Sequence, residues 1–427
     1  MTMGAMAIAL LTVVGCSETE TDLKIDSGGD DQVSLGVAAN LKVDANARAT
    51  SKSVVTGDLI TYDAAKYGDT DYAPGLGIVI TNKSANGWYS PDAGPYTGYH
   101  IWYMGSEKGA DWKSIKQKES TFATTKEVPY YLTKDIGQVF AYYPYDASFT
   151  PGSASDLKLP ITVLPSGTID ASTNNAKKFW DINKWSSTPK TDQVNLALST
   201  EKDYLYFAGT EGRYVNNGRT AGETPVKPDA DPDNNNATNP GYKINLDMKH
   251  AMSMITFRVY DGGKLSTKNV NFTKFRIKNA AGGTSPFKMG SGFMSLTDGT
   301  ITPNSQTNGD IIRTISNYIL MRQVESGEAE SAQSFILSGT TVNAKQVCKT
   351  VSAIIYPTQF AEGDIEVTIT LQETGETAVD YPVILPDNNW EANSNYVYTL
   401  SAGRNKLTVM DVSVEKWNDV EEDELPL

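Results

Sequence analysis

Between Tyr242 and Val259 large apolar residues fall on every second position through Ile244, Leu246, Met248, Met252 and Met254, and again at Phe257 and Val259. A period of two lines these side chains along one face of an extended chain, whereas a helix would scatter them around its axis. The run therefore predicts a strand pair or one long bent strand. Val33 to Val43 carries the same signature, with Val33, Leu35, Val37, Leu41 and Val43 on one parity. Shorter runs repeat it at Leu76 to Thr81, Gly98 to Met104, Gln138 to Tyr143, Leu157 to Leu164, Phe272 to Ile277, Val351 to Tyr356, Glu366 to Leu371 and Tyr396 to Leu400. Clusters of Gly, Pro, Asn, Asp and Ser separate them, and helical periodicity is scarce; Ala171 to Trp180 is the one stretch compatible with a short helix or ordered loop. Such a pattern folds as all-β sandwiches.

The chain has 427 residues, enough for two sandwiches at roughly 100–200 residues per domain. Arg219 to Gly241 holds four prolines and only Val226 as a large apolar residue, which marks it as a linker. The expected organisation is a signal segment over 1–15, a tether and removable strand over 16–48, an N-terminal sandwich over 49–235 and a C-terminal sandwich over 236–427.

Composition removes several function classes. Fifty-one acidic against 37 basic side chains give a formal charge of −14, which opposes phosphate backbones and makes a nucleic-acid partner a poor fit. With two histidines and two cysteines, neither a zinc centre nor a Ser-His-Asp triad is well supplied. The carboxylate pairs Asp69/Asp71, Glu328/Glu330 and Glu421/Glu422 sit in breaker-rich or exposed stretches, where nothing would raise one pKa for acid catalysis. Asp229, Asp231 and Asp233 have the spacing of the start of a calcium loop, but Asn234 and Pro240 stand where the loop needs Gly and Glu. The expectation is no enzyme, no metal and no cofactor. His250, on the parity of its methionine neighbours, reads as a packed, hydrogen-bonded residue without a carboxylate cluster; His100, in Tyr99 to Met104, reads as a strand residue or part of an aromatic ligand platform.

The segment Met1 to Gly15 is apolar and then breaks at Cys16-Ser-Glu-Thr-Glu20. It is too short to span a bilayer and has the length of a secretory signal core. Val13-Val14-Gly15-Cys16 resembles a lipobox, in which the cysteine is acylated and becomes the new N-terminus; a plain signal with an incidental cysteine is the other reading. No Lys or Arg precedes Cys16, so the true start is expected upstream. Cys348, left without a disulfide partner, is expected to pack as a small apolar residue.

Beyond Val43 the small, polar run Asp44 to Lys52 contains Arg48. A trypsin-like, Arg-specific protease cutting between Arg48 and Ala49 would detach the strand and leave a groove that only another strand fills. The C-terminal run Leu407, Val409, Val412, Val414 and Trp417 is the candidate donor for a neighbouring molecule; in the simpler alternative both terminal strands close their own sheets.

These features together resemble the fimbrillins, the pilin family of the Bacteroidales. The resemblance rests on the lipobox at Cys16, on Val33 to Val43 followed by Arg48, on Leu246-x-x-Lys-His250-Ala-Met-Ser-Met-Ile-Thr-Phe257, on Ala141-Tyr-Tyr-Pro-Tyr145, and on Trp390-x-x-Asn-x-x-Tyr396-x-Tyr398 with the strand ending at Trp417. It implies two tandem transthyretin-like β-sandwich domains, export as an outer-membrane lipoprotein, cleavage after Arg48, and polymerisation with other fimbrial subunits by donor-strand exchange. The implied function is a structural, adhesion-supporting subunit of a cell-surface fimbria, met on its way by lipoprotein-processing enzymes and the Arg-specific protease. The alternative is a cell-surface glycan-binding lipoprotein using Trp102, Trp112 and Tyr142.

Overall fold

The computed structural model describes residues 33–41, 75–90, 98–105, 112–116, 126–127, 129–171, 176–177, 195–198, 200–209, 212–218, 235–263, 265–266, 268–304, 309–325, 334–336, 350–404 and 407–416. Among them every regular element is a β-strand.

Seven strands of the first half close on themselves. Leu76–Asn82 pairs with both His100–Gly105 and Gly137–Tyr143; from the latter the ring runs through Leu205–Phe207, Lys243–His250, Gly36–Leu41 and Trp112–Lys116 back to His100–Gly105. Alternate side chains fill the interior: Val37, Ile78, Ile80, Ile101, Tyr103, Val139, Ala141, Leu205, Phe207, Ile244, Leu246 and Met248 form one buried cluster. Closure removes free strand edges from this ring. Leu76–Asn82 and Gly137–Tyr143 are buried on nearly every residue because their outward side chains, Val79, Phe140 and Tyr142, belong to the core of the second half. A strand covered on both faces reads as a continuous apolar run.

The second half is a two-sheet sandwich. One layer contains Thr350–Ile355, Ser253–Asp261, Ser394–Ala402 and Leu407–Lys416 side by side; Ser253–Asp261 runs parallel to Ser394–Ala402. The facing layer orders Ser166–Asp170, Ile311–Ser316, Val270–Asn279, Ile365–Glu373 and Val379–Ile384. Phe257 and Phe275 meet between the layers with ring centroids 5.1 Å apart. The Trp390 to Tyr398 motif closes one end. Trp390 Nε1 donates to the Tyr398 hydroxyl at 2.8 Å, the Glu391 amide donates to the Tyr396 hydroxyl at 2.8 Å, and Asn393 takes a left-handed φ of 61° at the turn. Ser253 Oγ donates to the carbonyls of Trp390 and Glu391, which ties this end to the start of the strand beside it.

The alternating run from Tyr242 is two strands, not one. Lys243–His250, with alternate residues buried, ends in the barrel, and after Ala251 and Met252 the chain crosses to the sandwich as the fully buried Ser253–Asp261. The sheets do not divide at the linker. Lys243–His250, beyond residue 235, completes the barrel, while Lys158–Val163 and Ser166–Asp170, before it, pair with Gly290–Ser295 and Ile311–Ser316. Within Ala171 to Trp180 the described pair Ala176–Lys177 is a strand bonded to Asn195–Leu196, so sheet pairing overrides the local helical compatibility.

Candidate functional site

The N-terminal strand is a stave of the barrel. Val33–Ser34 pairs with Tyr131–Leu132, and the Leu35 amide donates to the Tyr130 carbonyl at 2.8 Å while the Tyr103 hydroxyl donates to the Leu35 carbonyl at 3.3 Å. The Gly36 amide then donates to the Tyr242 carbonyl at 2.8 Å, and Gly36 to Leu41 run parallel to Lys243 through Met248 in six register pairs. On the other side, among the described residues, Val37 stands opposite Trp112 in an antiparallel pairing. Leu35 and Val37 are each 6% exposed inside the barrel cluster and Ala39 packs on it partly buried. Leu35 and Val37 of the run Val33 to Val43 thus face inward, and Leu41 continues the ladder opposite Met248. Cys16, Val43, Arg48 and Ala49 lie outside the described residues.

The strand Leu407–Lys416 pairs within its own sheet, antiparallel to Ser394–Ala402, with Val414 opposite Tyr396. Leu407 is buried, and Val409 and Val412 pack half-buried on the sandwich core. The register shifts between Thr399 and Leu400, which leaves Met410 between the partnered Val409 and Asp411 and 44% exposed. Such a bulge breaks the period of two. Trp417 lies outside the described residues.

The aromatics proposed as a glycan platform are core residues. Trp102, Trp112 and Tyr142 are 4%, 7% and 0% exposed, so their faces are covered by protein. Tyr142 lies over Gly77, where an added Cβ would come within 2.2 Å of the ring. Its hydroxyl and His100 Nε2 are 2.7 Å apart, Trp102 stacks on Tyr145, and Phe149 stands edge-on to His100 and Tyr142. Burial in this aromatic nest pushes the His100 pKa down to about 4, against a smaller upward pull from Asp146.

His250 is packed and hydrogen-bonded, and it has a carboxylate neighbour that its sequence surroundings hid. Its Nδ1 lies 3.0 Å from Asp203 Oδ1, both side chains fully enclosed. The signal was available only through pairing, since Leu205, two residues from Asp203, sits opposite His250 in the ladder. Asp69, Asp71, Asp229 to Asp233, Glu328, Glu330, Cys348, Glu421 and Glu422 lie outside the described residues. Among the described residues no three His, Cys, Asp or Glu side chains gather as metal ligands.

The geometry defines an all-β barrel-and-sandwich protein in which an N-terminal strand is inserted, in parallel, beside the strand that links the two halves. Residues 230–417 match the fimbrillin-like family model. No curated protein matches the sequence. Among solved structures the chain is similar to a candidate cell adhesion protein from Bacteroides ovatus (14% identity, 90% of this chain and 98% of that one, TM-score 0.44). It is also similar to a fimbrial protein from Bacteroides vulgatus (14%, 87% and 100%, 0.43) and to the tip fimbrial protein Mfa3 from Porphyromonas gingivalis (10%, 80% and 93%, 0.34).

Proposed function

We propose that the chain is a subunit of a cell-surface fimbria, exported as a lipoprotein through Cys16, cut between Arg48 and Ala49, and assembled when another subunit's strand replaces its own N-terminal stave. The observation that supports this reading is the position of Gly36–Leu41: interior to the sheet, parallel to Lys243–His250 in six register pairs and, at Val37, opposite Trp112 on its other side. Arg48 follows Leu41 closely in the sequence, so a cut there leaves the stave bound without a covalent tie.

Simple loss of the stave is unfavourable. Leu35 and Val37 would surrender about 1.5–3 kcal/mol each of apolar burial, and the Lys243–His250 backbone would lose its ladder inside an opened barrel. Departure is therefore coupled to arrival of a second strand, parallel to Lys243–His250, with large apolar residues at the Leu35 and Val37 positions and a small one at Ala39. The role is structural and needs no chemistry from His100 or His250, which serve packing. In the producing cell, Arg48→Ala is expected to give a lipidated, unpolymerised monomer at the outer membrane. Normal polymers from that variant would overturn the proposal.

A further inference from the structure

Phe293 is the one aromatic among the strongly exposed large apolar side chains of the described residues. It sits on the outer face of a three-stranded sheet made by Lys158–Val163, Gly290–Ser295 and Ile301–Pro303, in a row with Pro160 on one side and Thr302 on the other. The inner face is core: Leu159, Ile161, Val163 and Met294 are buried. Over the outer face stands the loop from Asp146 to Asp156. It is a fixed wall. Asp146 exchanges backbone hydrogen bonds with the Tyr142 hydroxyl and accepts the Ser148 amide and hydroxyl on Oδ1 at 2.9 and 2.6 Å. Phe149 is anchored edge-on against Tyr142 and His100. Between loop and sheet runs an open groove of about 600 Å³ whose lining includes Asp146, Phe149, Asp156, Lys158, Phe293 and Thr302.

We infer that this groove binds an uncharged saccharide, with one pyranose face on Phe293 and its hydroxyls on the Asp146, Asp156 and Thr302 rim. The chemistry of the lining selects that class. An apolar platform with a few convergent polar groups is the usual make-up of a small-ligand site, and about 600 Å³ lies within the usual range. An exposed aromatic face suits the C–H face of a sugar ring, and carboxylate and hydroxyl oxygens accept or exchange hydrogen bonds with vicinal hydroxyls. An anionic ligand meets two carboxylates and one ammonium, and that ammonium, Lys158 Nζ, is already 2.9 Å from Asp156. A peptide bound by strand addition needs a sheet edge, whereas the floor here is a sheet face. The groove is formed by 146–160, 293 and 302 and does not include the N-terminal stave, so binding is separable from strand exchange.

The test is an array of neutral oligosaccharides (glucose, mannose, galactose and N-acetyllactosamine tetrasaccharides) with sialylated and sulfated glycans alongside, probed with the full-length protein and with Phe293→Ala, followed by calorimetric titration of each binder. The expected result is binding of at least one neutral glycan that Phe293→Ala weakens about tenfold or more, and Asp156→Asn likewise, with melting temperatures unchanged because both side chains are solvent-facing. Binding of anionic glycans alone, no glycan binding, or equal binding by the Phe293→Ala protein would overturn it. Because the precursor itself is assayed, a negative result leaves assembly by strand exchange untouched, and a failure of assembly leaves this groove intact.

Discussion

Val37 stands directly opposite Ile244 in a parallel ladder that joins the N-terminal stave to the strand leading into the second half. Both side chains point into the barrel, so the stave contributes apolar filling as well as backbone pairing. Leu35→Ala in the uncleaved precursor is therefore expected to cost about 2–5 kcal/mol in urea unfolding. The same substitution should leave the stability of cleaved, assembled subunits unchanged, since the residue is absent from them. A large effect in both forms would mean that the stave stays in place.

The environment of His100 ties stability to acid. Its folded-state pKa of about 4 lies below the ordinary 6.5, so between these values the unfolded chain binds more protons and stability rises with pH. The contribution is complete above about 6.5 and falls away as pH drops toward 4, by up to about 3 kcal/mol. Unfolding titrations at pH 7 and pH 4 should show that loss in the native sequence and a smaller one in His100→Gln. Equal pH dependence in both proteins would remove His100 as the cause.

A buried ion pair joins the two halves of the sequence. Arg313 donates to Glu201 Oε1, and also to the carbonyls of Ile312 and Leu164 at 3.0 Å. Burial pushes the Glu201 carboxyl up from its ordinary range, and the Arg313 guanidinium opposes that shift. Glu201→Gln leaves the buried guanidinium without its counter-charge, an expected loss of about 3–5 kcal/mol. The double variant Glu201→Leu, Arg313→Met should recover most of it. A double variant as unstable as the single one would show that shape, not charge, sets the site.

The edge strand Val379–Ile384 exposes Val379 and Ile384, at 49% and 47%, yet its outer edge is blunted. The Leu385 amide donates inward to the Ile365 carbonyl, and alternation along the strand then points the backbone of Ile384, Pro382 and Asp380 outward. Pro382 has no N–H to offer there, a common defence against edge-to-edge pairing. Pro382→Thr restores that donor and is expected to raise self-association, measured by sedimentation, without changing the melting temperature by more than a few degrees. A variant as monomeric as the parent would show that the edge is protected by something else.

The sequence read most clearly where one face of a strand is core. Lys243–His250 follows its alternation residue by residue, and Leu35 and Val37 take the inward positions their spacing predicts. Ile311–Ser316 escaped because Arg313 occupies an inward position, and an arginine there breaks the apolar period; only its partner, Glu201, makes it a core residue. The parallel pairing of the N-terminal stave with Lys243–His250 was not legible, because a period of two fixes which side chains share a face and not which strand lies alongside. The same limit hid Asp203 from His250 and the aromatic nest from Trp102 and Tyr142, whose rings read first as strand packing and otherwise as a ligand platform. The groove at Phe293 is built from a loop and a sheet face that are distant in sequence, and no local pattern announces it.

The central claim is that the stave is exchanged, and the most direct measurement is mass-spectrometric identification of the N-terminus, together with native mass, after limited trypsin treatment of the purified precursor. The account predicts subunits that begin at Ala49, that no longer carry residues 33–41, and that have become oligomeric. Monomers beginning at Ala49 that still hold the 33–41 fragment, with no oligomer formed on prolonged incubation, would contradict it.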